Sequence, residues 1–162
     1  MRLPVVALVG RPNVGKSTIF NRLVGEKLSI IEDTPGVTRD RIYSEAKYNG
    51  YRFDVIDTGG IDGSNDDFNS DIRIQASIAI DESDVVLFVV DGKEGLTSND
   101  YIVRDMLKKS SKKVIVVINK VDSKKAKDHI FDFYELGFDD YVEISGEQGT
   151  GFIELYELLM SI

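Results

Sequence analysis

Apolar residues fall along the chain in two alternating modes. Val5–Val9, Val85–Val90 and Val114–Ile118 are short unbroken runs, as in strands buried on both faces of a parallel sheet. Between and after them, apolar residues recur three and four positions apart. Ile19, Phe20, Leu23 and Val24 place a helix over Ser17–Val24, closed by Gly25. Ile72, Ala76, Ala79 and Ile80, with Gln75, place another over Asp71–Glu82. A third starts at Thr97-Ser98 and carries Ile102, Val103, Met106 and Leu107 on one face. Ser123–Leu136 reads as a helix stopped by Gly137, and Phe152–Ile162 as a last one with Ile153, Leu155, Tyr156, Leu158 and Leu159 inward. Two further strand-like runs, Ile42–Tyr48 and Tyr51–Asp57, are joined by Asn49-Gly50, a strong short hairpin signal. Tyr141–Ile144 supplies a sixth, short strand. The expected architecture is a doubly wound α/β fold: a mostly parallel six-stranded sheet with one antiparallel edge strand and helices on both faces. Leu28–Asp40, with its Asp33-Thr34-Pro35-Gly36 turn, and Asp62–Ser70, rich in Asp, Asn, Gly and Ser, have no period and read as mobile loops.

The polar clusters sit just after strands, where open α/β sheets bind ligands. Gly10-Arg11-Pro12-Asn13-Val14-Gly15-Lys16-Ser17 follows the first strand and enters the first helix. A glycine-rich turn there aims successive backbone N–H groups, and the positive end of the helix, at one spot. That is a polyphosphate cradle, the phosphate loop of a P-loop NTPase. Lys16 would reach the outer phosphates and the Ser17 hydroxyl would ligate Mg²⁺. On its own, this loop leaves kinases, ATPases and GTPases open. Asn119-Lys120-Val121-Asp122, after a later buried strand, narrows the choice. The Asp122 carboxylate can accept from the guanine N1–H and N2 amino group, whereas adenine would leave it unpaired, so such a site discriminates strongly. Asn119 can bind the base edge and brace the phosphate loop, and the stem of Lys120 can cover the base face. A P-loop phosphotransferase would leave this cluster unexplained.

Composition removes several other classes. The 162 residues are 42% hydrophobic and 30% charged, which favours one soluble globular domain, 1–162. A net charge of −8 argues against a broad nucleic-acid-binding surface, and the lysines of Lys108–Lys113 suit a solvated helix C-terminus. With no cysteine there is no disulfide partner, thiolate metal site or cysteine nucleophile. The lone histidine, His129, lies among lysines and aspartates and reads as a surface residue. No signal peptide is expected, and no stretch approaches the ~18 apolar residues of a membrane span. A cytoplasmic monomer is the expectation.

Taken in order, Gly10–Ser17, Thr38, Asp57-Thr58-Gly59-Gly60, Asn119–Asp122 and Ser145-Gly146-Glu147 resemble the five motifs of translation-factor-type G domains. The wording of the phosphate loop, of Asp33–Asp40 and of Asp57–Gly60 is similar to the first G domain of the bacterial Der (EngA) GTPase family, with Era and MnmE G domains as near relatives. The resemblance implies a GTP-hydrolysing switch that binds GTP and GDP. It also implies one domain of a longer protein with two G domains, acting in assembly of the large ribosomal subunit; an Era- or MnmE-type role with RNA is the alternative. Carried over to this chain, Gly10, Asn13, Val14, Gly15, Lys16, Ser17 and Thr18 would hold the phosphates. Ser17, Thr38 and Asp57 would hold Mg²⁺, and the Gly60 N–H would sense the γ-phosphate. Asn119, Lys120, Asp122 and the Ser145–Gly146 backbone would read guanine. The loops around Thr38 and Gly60 would order on GTP. Lys16, Thr38 and Gly60 would carry catalysis, and Asn13 would either hold K⁺ or only brace the loop. Two positions depart from common patterns. Ile61 stands where many GTPases place a water-orienting glutamine, which implies slow intrinsic hydrolysis or a domain that only binds. Gly146 stands where the family usually has alanine, which implies a looser loop. Arg11 and Arg39 are the flexible-loop candidates for a catalytic arginine.

Overall fold

The computed structural model describes residues 3–12, 14–25, 42–58 and 68–161. In chain order these form β1 (Val5–Val9), α1 (Lys16–Val24), β2 (Ile42–Tyr48), β3 (Tyr51–Asp57), α2 (Phe68–Glu82), β4 (Val85–Asp91), α3 (Ser98–Ser110), β5 (Lys113–Asn119), α4 (Ala126–Tyr134), β6 (Asp140–Glu143) and α5 (Phe152–Met160). The strands make one sheet in the order β2-β3-β1-β4-β5-β6. Only the β2–β3 pair is antiparallel, with Tyr48 opposite Tyr51, and the remaining pairs are parallel. The hairpin turns on Asn49 and Gly50 at φ 50° and 84°. Both lie in the left-handed region that a two-residue turn requires and that Asn and Gly tolerate.

Alternation along the central strands sends side chains to two cores. Val6 and Leu8 face Ile19, Phe20 and Leu23 of α1 and Phe152 and Leu155 of α5. Val5, Ala7 and Val9 face Ile72 and Ala76 of α2, Val103 and Leu107 of α3 and Phe133 of α4. Each fully buried Val, Leu, Ile or Phe side chain among them contributes ~1.5–3 kcal/mol of transfer free energy. A stacked pair, Tyr48 and Tyr156 with centroids 4.2 Å apart, fixes the hairpin against α5.

Several boundaries differ from the expected ones. Helix α2 starts at Phe68, three residues inside the stretch read as loop. Ser123–Lys125 form turns rather than the start of α4, because the Ser123 Oγ takes the Lys125 N–H and the Ser123 carbonyl takes the Ala126 N–H. Strand β6 is Asp140–Glu143, one residue earlier than read. On α5, Ile153 is 65% exposed, not inward; the buried face runs through Phe152 and Leu155. The loop expectations for Leu28–Asp40 and for residues 62–67 lie outside the described residues. The lysine-rich end of α3 is structural: Lys108 donates to the Gly137 carbonyl, Lys112 to the Ser83 carbonyl at 2.7 Å, and Lys113 pairs with Asp140. Among the described residues, no helix is long and apolar enough to cross a membrane.

Candidate functional site

The sequence candidates gather at the C-terminal edge of the sheet. The β1 strand ends at Val9, and α1 begins at Lys16, directly after Gly15. Gly15 is left-handed at φ 100°, and a Cβ there would lie 2.2 Å from the Asn119 Nδ2. Only glycine lets the turn pass this close to β5. Having no side chain, Gly15 cannot cap α1, and no acidic residue occupies the first turn. The first N–H groups of the helix are thus left to an anionic ligand.

Lys16 is the first residue of α1 and is 7% exposed. Its ammonium donates to the Gly10 carbonyl at 2.5 Å and the Arg11 carbonyl at 3.1 Å. Burial pushes its pKa down to about 8; the Asp57 carboxylate opposes that shift and the Arg11 guanidinium adds to it. The charge is therefore held close to the phosphate loop in a poorly solvated place. Ser17 and Thr18 are exposed on the first turn. Asp57, 3% exposed, closes β3 opposite Leu8 of β1. The next residue, Thr58, ties the two strands by donating to the Leu8 carbonyl at 2.7 Å. Ser17 and Asp57 offer the hard oxygens that suit Mg²⁺, which is usually held by one or two protein carboxylates plus phosphate oxygens and water. Thr38, Gly60 and Asn13, along with Ile61 and Arg39, lie outside the described residues.

Asn119 closes β5 and joins the two ends of the site. Its Nδ2 donates to the Val14 carbonyl at 2.8 Å, and its Oδ1 accepts the Gly146 N–H at 2.8 Å. One buried amide thus braces the phosphate loop against the loop after β6. Beside it is a cavity of about 250 Å³ lined by Gly15, Thr18, Lys120, Asp122, Ser145 and Gly146. Lys120 sits at φ 64° and its ammonium pairs with Asp91 Oδ2 at 2.9 Å, so its stem is held at the cavity. Asp122 is exposed at the rim, with the Gln148 Nε2 3.5 Å from its Oδ2.

Two contributors, Asp91 and Arg22, escaped the sequence reading, and a third residue, Arg11, is placed differently from it. Asp91, wholly buried, accepts the Lys93 and Glu94 N–H groups on Oδ1 while holding Lys120. Arg22 of α1 reaches the loop after β6. Arg11 is not a flexible loop residue: it is 8% exposed, with Nε 3.4 Å from Asp100 Oδ2 and Nη2 3.4 Å from Glu94 Oε2. Desolvation raises the pKa of Asp100, which also takes the Thr97 N–H at the start of α3 at 2.8 Å. Arg11 is therefore held against the start of α3. The strand-end placement of Asp91 was the one available hint.

Gly146 has an ordinary backbone conformation, and a Cβ there would meet Thr18 Cγ2 at 3.3 Å and Asn119 Oδ1 at 3.4 Å. Alanine fits with a shift of a few tenths of an ångström. Gly146→Ala should raise stability by ~0.4–1 kcal/mol through the unfolded chain. Urea unfolding would read this as a higher midpoint at unchanged slope; a lower midpoint would show that the Thr18 contact cannot relax.

This fold, with a phosphate cradle and an Asn-Lys-x-Asp edge on one sheet, is that of a P-loop GTPase. The chain belongs to the 50S ribosome-binding GTPase family, which matches residues 5–120. It is 56% identical over 157 residues to GTPase Der of Staphylococcus haemolyticus (strain JCSC1435), covering 97% of this chain and 36% of that protein. The chain thus spans little more than a third of that relative's length, and the Der likeness read from the motifs is borne out. Among solved structures, Era of Aquifex aeolicus bound to GDP.AlF4- has a TM-score of 0.76 at 32% identity, covering 99% of this chain and 57% of that one. Era in complex with MgGDPNP and nucleotides 1506-1542 of 16S ribosomal RNA has a TM-score of 0.77 at 31% identity, with the same coverages.

Proposed function

We propose that this chain is a GTP-binding and GTP-hydrolysing switch domain, one G domain of a longer cytoplasmic protein with two, acting in assembly of the large ribosomal subunit. The observation that carries the nucleotide reading is Asn119, whose side chain bonds the phosphate loop and the base-reading loop into one cradle. Gly10, Val14, Gly15, Lys16, Ser17 and Thr18 bind the phosphates; Lys16 exchanges its two carbonyl partners for β- and γ-phosphate oxygens. Asn119, Lys120, Asp122, Ser145 and Gly146 bind guanine. Ser17, Asp57 and Thr38 hold Mg²⁺, which when bound neutralises charge on the phosphates. The Mg²⁺ nucleotide named for Era supports the cofactor, and the 50S ribosome-binding family supports the large-subunit role. Gly60 senses the γ-phosphate.

Hydrolysis in this reading is slow. Arg11 is committed to Asp100, and Ile61 has no group to orient water. A cation at the γ-phosphate would supply the missing charge, and the side-chain carbonyl of Asn13 is a suitable hard ligand for K⁺. Single-turnover assays with GTP and ATP, in KCl and in NaCl at equal ionic strength, test both parts. Turnover of GTP alone, faster in KCl and no longer so in Asn13→Ala, is expected. Equal use of ATP would end the GTPase reading, and equal rates in the two salts would remove the potassium role. Binding without measurable turnover would favour an interaction module instead.

A further inference from the structure

We infer that Arg22 is a positioning residue for base recognition, holding the Ser145–Glu147 loop in the shape that reads guanine; this rests on the guanine-binding reading above. Arg22 lies six residues after Lys16, on the exposed side of α1. Its Nε donates to the Gly146 carbonyl and its Nη2 to the Glu147 carbonyl at 2.6 Å. The guanidinium rests over the Phe152 ring, 6.0 Å from the centroid. These are charge-assisted bonds from a rigid planar fork to two consecutive carbonyls. Together they fix the peptide planes that follow Gly146.

The loop needs that clamp at this position. Glycine loses more backbone freedom on ordering than alanine does, and here it falls between Ser145 and Glu147 in the segment that faces the base. The N-terminal side of Gly146 is held by Asn119 Oδ1, and the C-terminal side by Arg22. The rest of the loop closes on itself: Ser145 exchanges backbone bonds with Thr150 and Gly149 at 3.1 and 2.7 Å, and its Oγ takes the Gln148 N–H at 3.2 Å. That closure leaves the Gly146–Glu147 carbonyls to Arg22. Because α1 also presents its N-terminus to the phosphates, one helix sets the phosphate end and, two turns on, the base end. The Gly146 N–H is taken by Asn119 Oδ1, so the donor the loop offers to guanine O6 is the Glu147 N–H, on the peptide whose carbonyl Arg22 holds and at the cavity lining; a slackened loop would weaken the reading of that atom above all.

The test titrates the unmodified chain, Arg22→Met and the Arg22→Met/Gly146→Ala double variant with GDP, 6-thio-GDP and ADP. Sulfur is a weak acceptor, so the thio analogue retains the contacts to Asp122 but gains little from the Glu147 N–H. Arg22→Met should lose ~5–10-fold in GDP affinity, mostly through faster dissociation, with a clearly smaller loss for 6-thio-GDP. Adding Gly146→Ala should return part of the GDP affinity. The melting temperature should change little, because the side chain is exposed. Equal losses for GDP and 6-thio-GDP, or no loss for either, would overturn the role of Arg22. If the unmodified chain itself shows no preference for GDP over ADP, the guanine reading fails instead.

Discussion

Replacing Lys16 with methionine is expected to lower affinity for GDP and GTP ~10²–10³-fold without lowering the melting temperature of the nucleotide-free protein. Each charged hydrogen bond to phosphate is worth ~1.5–3 kcal/mol, and a lysine serving two oxygens makes two of them. Folding, by contrast, gains little from this side chain. Read as a loop residue, Lys16 would be neutral for stability because it is exposed; buried as it is, its charge costs stability until a polyanion arrives. The sign of the pH effect follows. The folded-state pKa is about 8, against 10.5 for an unperturbed lysine. Between those values the unfolded chain binds more protons than the folded one, so stability rises with pH across that window, by ~3 kcal/mol in all. Phosphate restores the charge, so binding above pH 8 takes up a proton and GDP affinity falls as pH rises. Urea midpoints on either side of the window, compared between the unmodified chain and Lys16→Met, isolate this contribution. Matching pH slopes in the two proteins would show that Lys16 carries an ordinary charge.

Asp122→Ala should cost ~2–3 kcal/mol of GDP binding, about 30- to 150-fold, with ADP binding unchanged. The carboxylate lies at the cavity rim, exposed, with the Gln148 amide 3.5 Å away. Its removal therefore leaves the core and the phosphate loop intact. All of the loss should appear in the guanine-specific part of the affinity. Calorimetric titration with both nucleotides reads this directly. A variant that still prefers GDP as strongly as the unmodified chain would move base recognition to the Ser145–Gly146 backbone.

What could be read from the chain alone was local. Val5–Val9 announces a buried strand because every residue in it is apolar, and Asn49-Gly50 announces a hairpin because both residues tolerate positive φ. The phosphate loop and Asn119–Asp122 were legible as motifs because each is a short run of fixed spacing after a strand, and the structure joins them through Asn119. Features set by partners far along the chain were not. Arg11 looks like any loop arginine until Asp100, 89 positions later, is folded beside it. Arg22 looks like a solvated helix residue, since its carbonyl partners lie more than 120 positions away. Ile153 fits a helical period but falls on the open side of α5, which only packing decides. Ser123 begins turns where a periodic reading continued the helix, because its hydroxyl competes for local N–H groups.

Asn119 gives the site a property that no single contact conveys. Its amide is the common strut for Val14 and Gly146, so nucleobase and polyphosphate do not meet independent receptors. Groups that share a partner are coupled, and their energies do not add. Guanosine and pyrophosphate offered separately would each meet a cradle whose other wall is unloaded, whereas the intact nucleotide loads both walls through one side chain. The covalent joining of base to phosphate in the ligand is thus matched by a joint in the protein. Fragment affinities measured apart will not multiply to that of the whole.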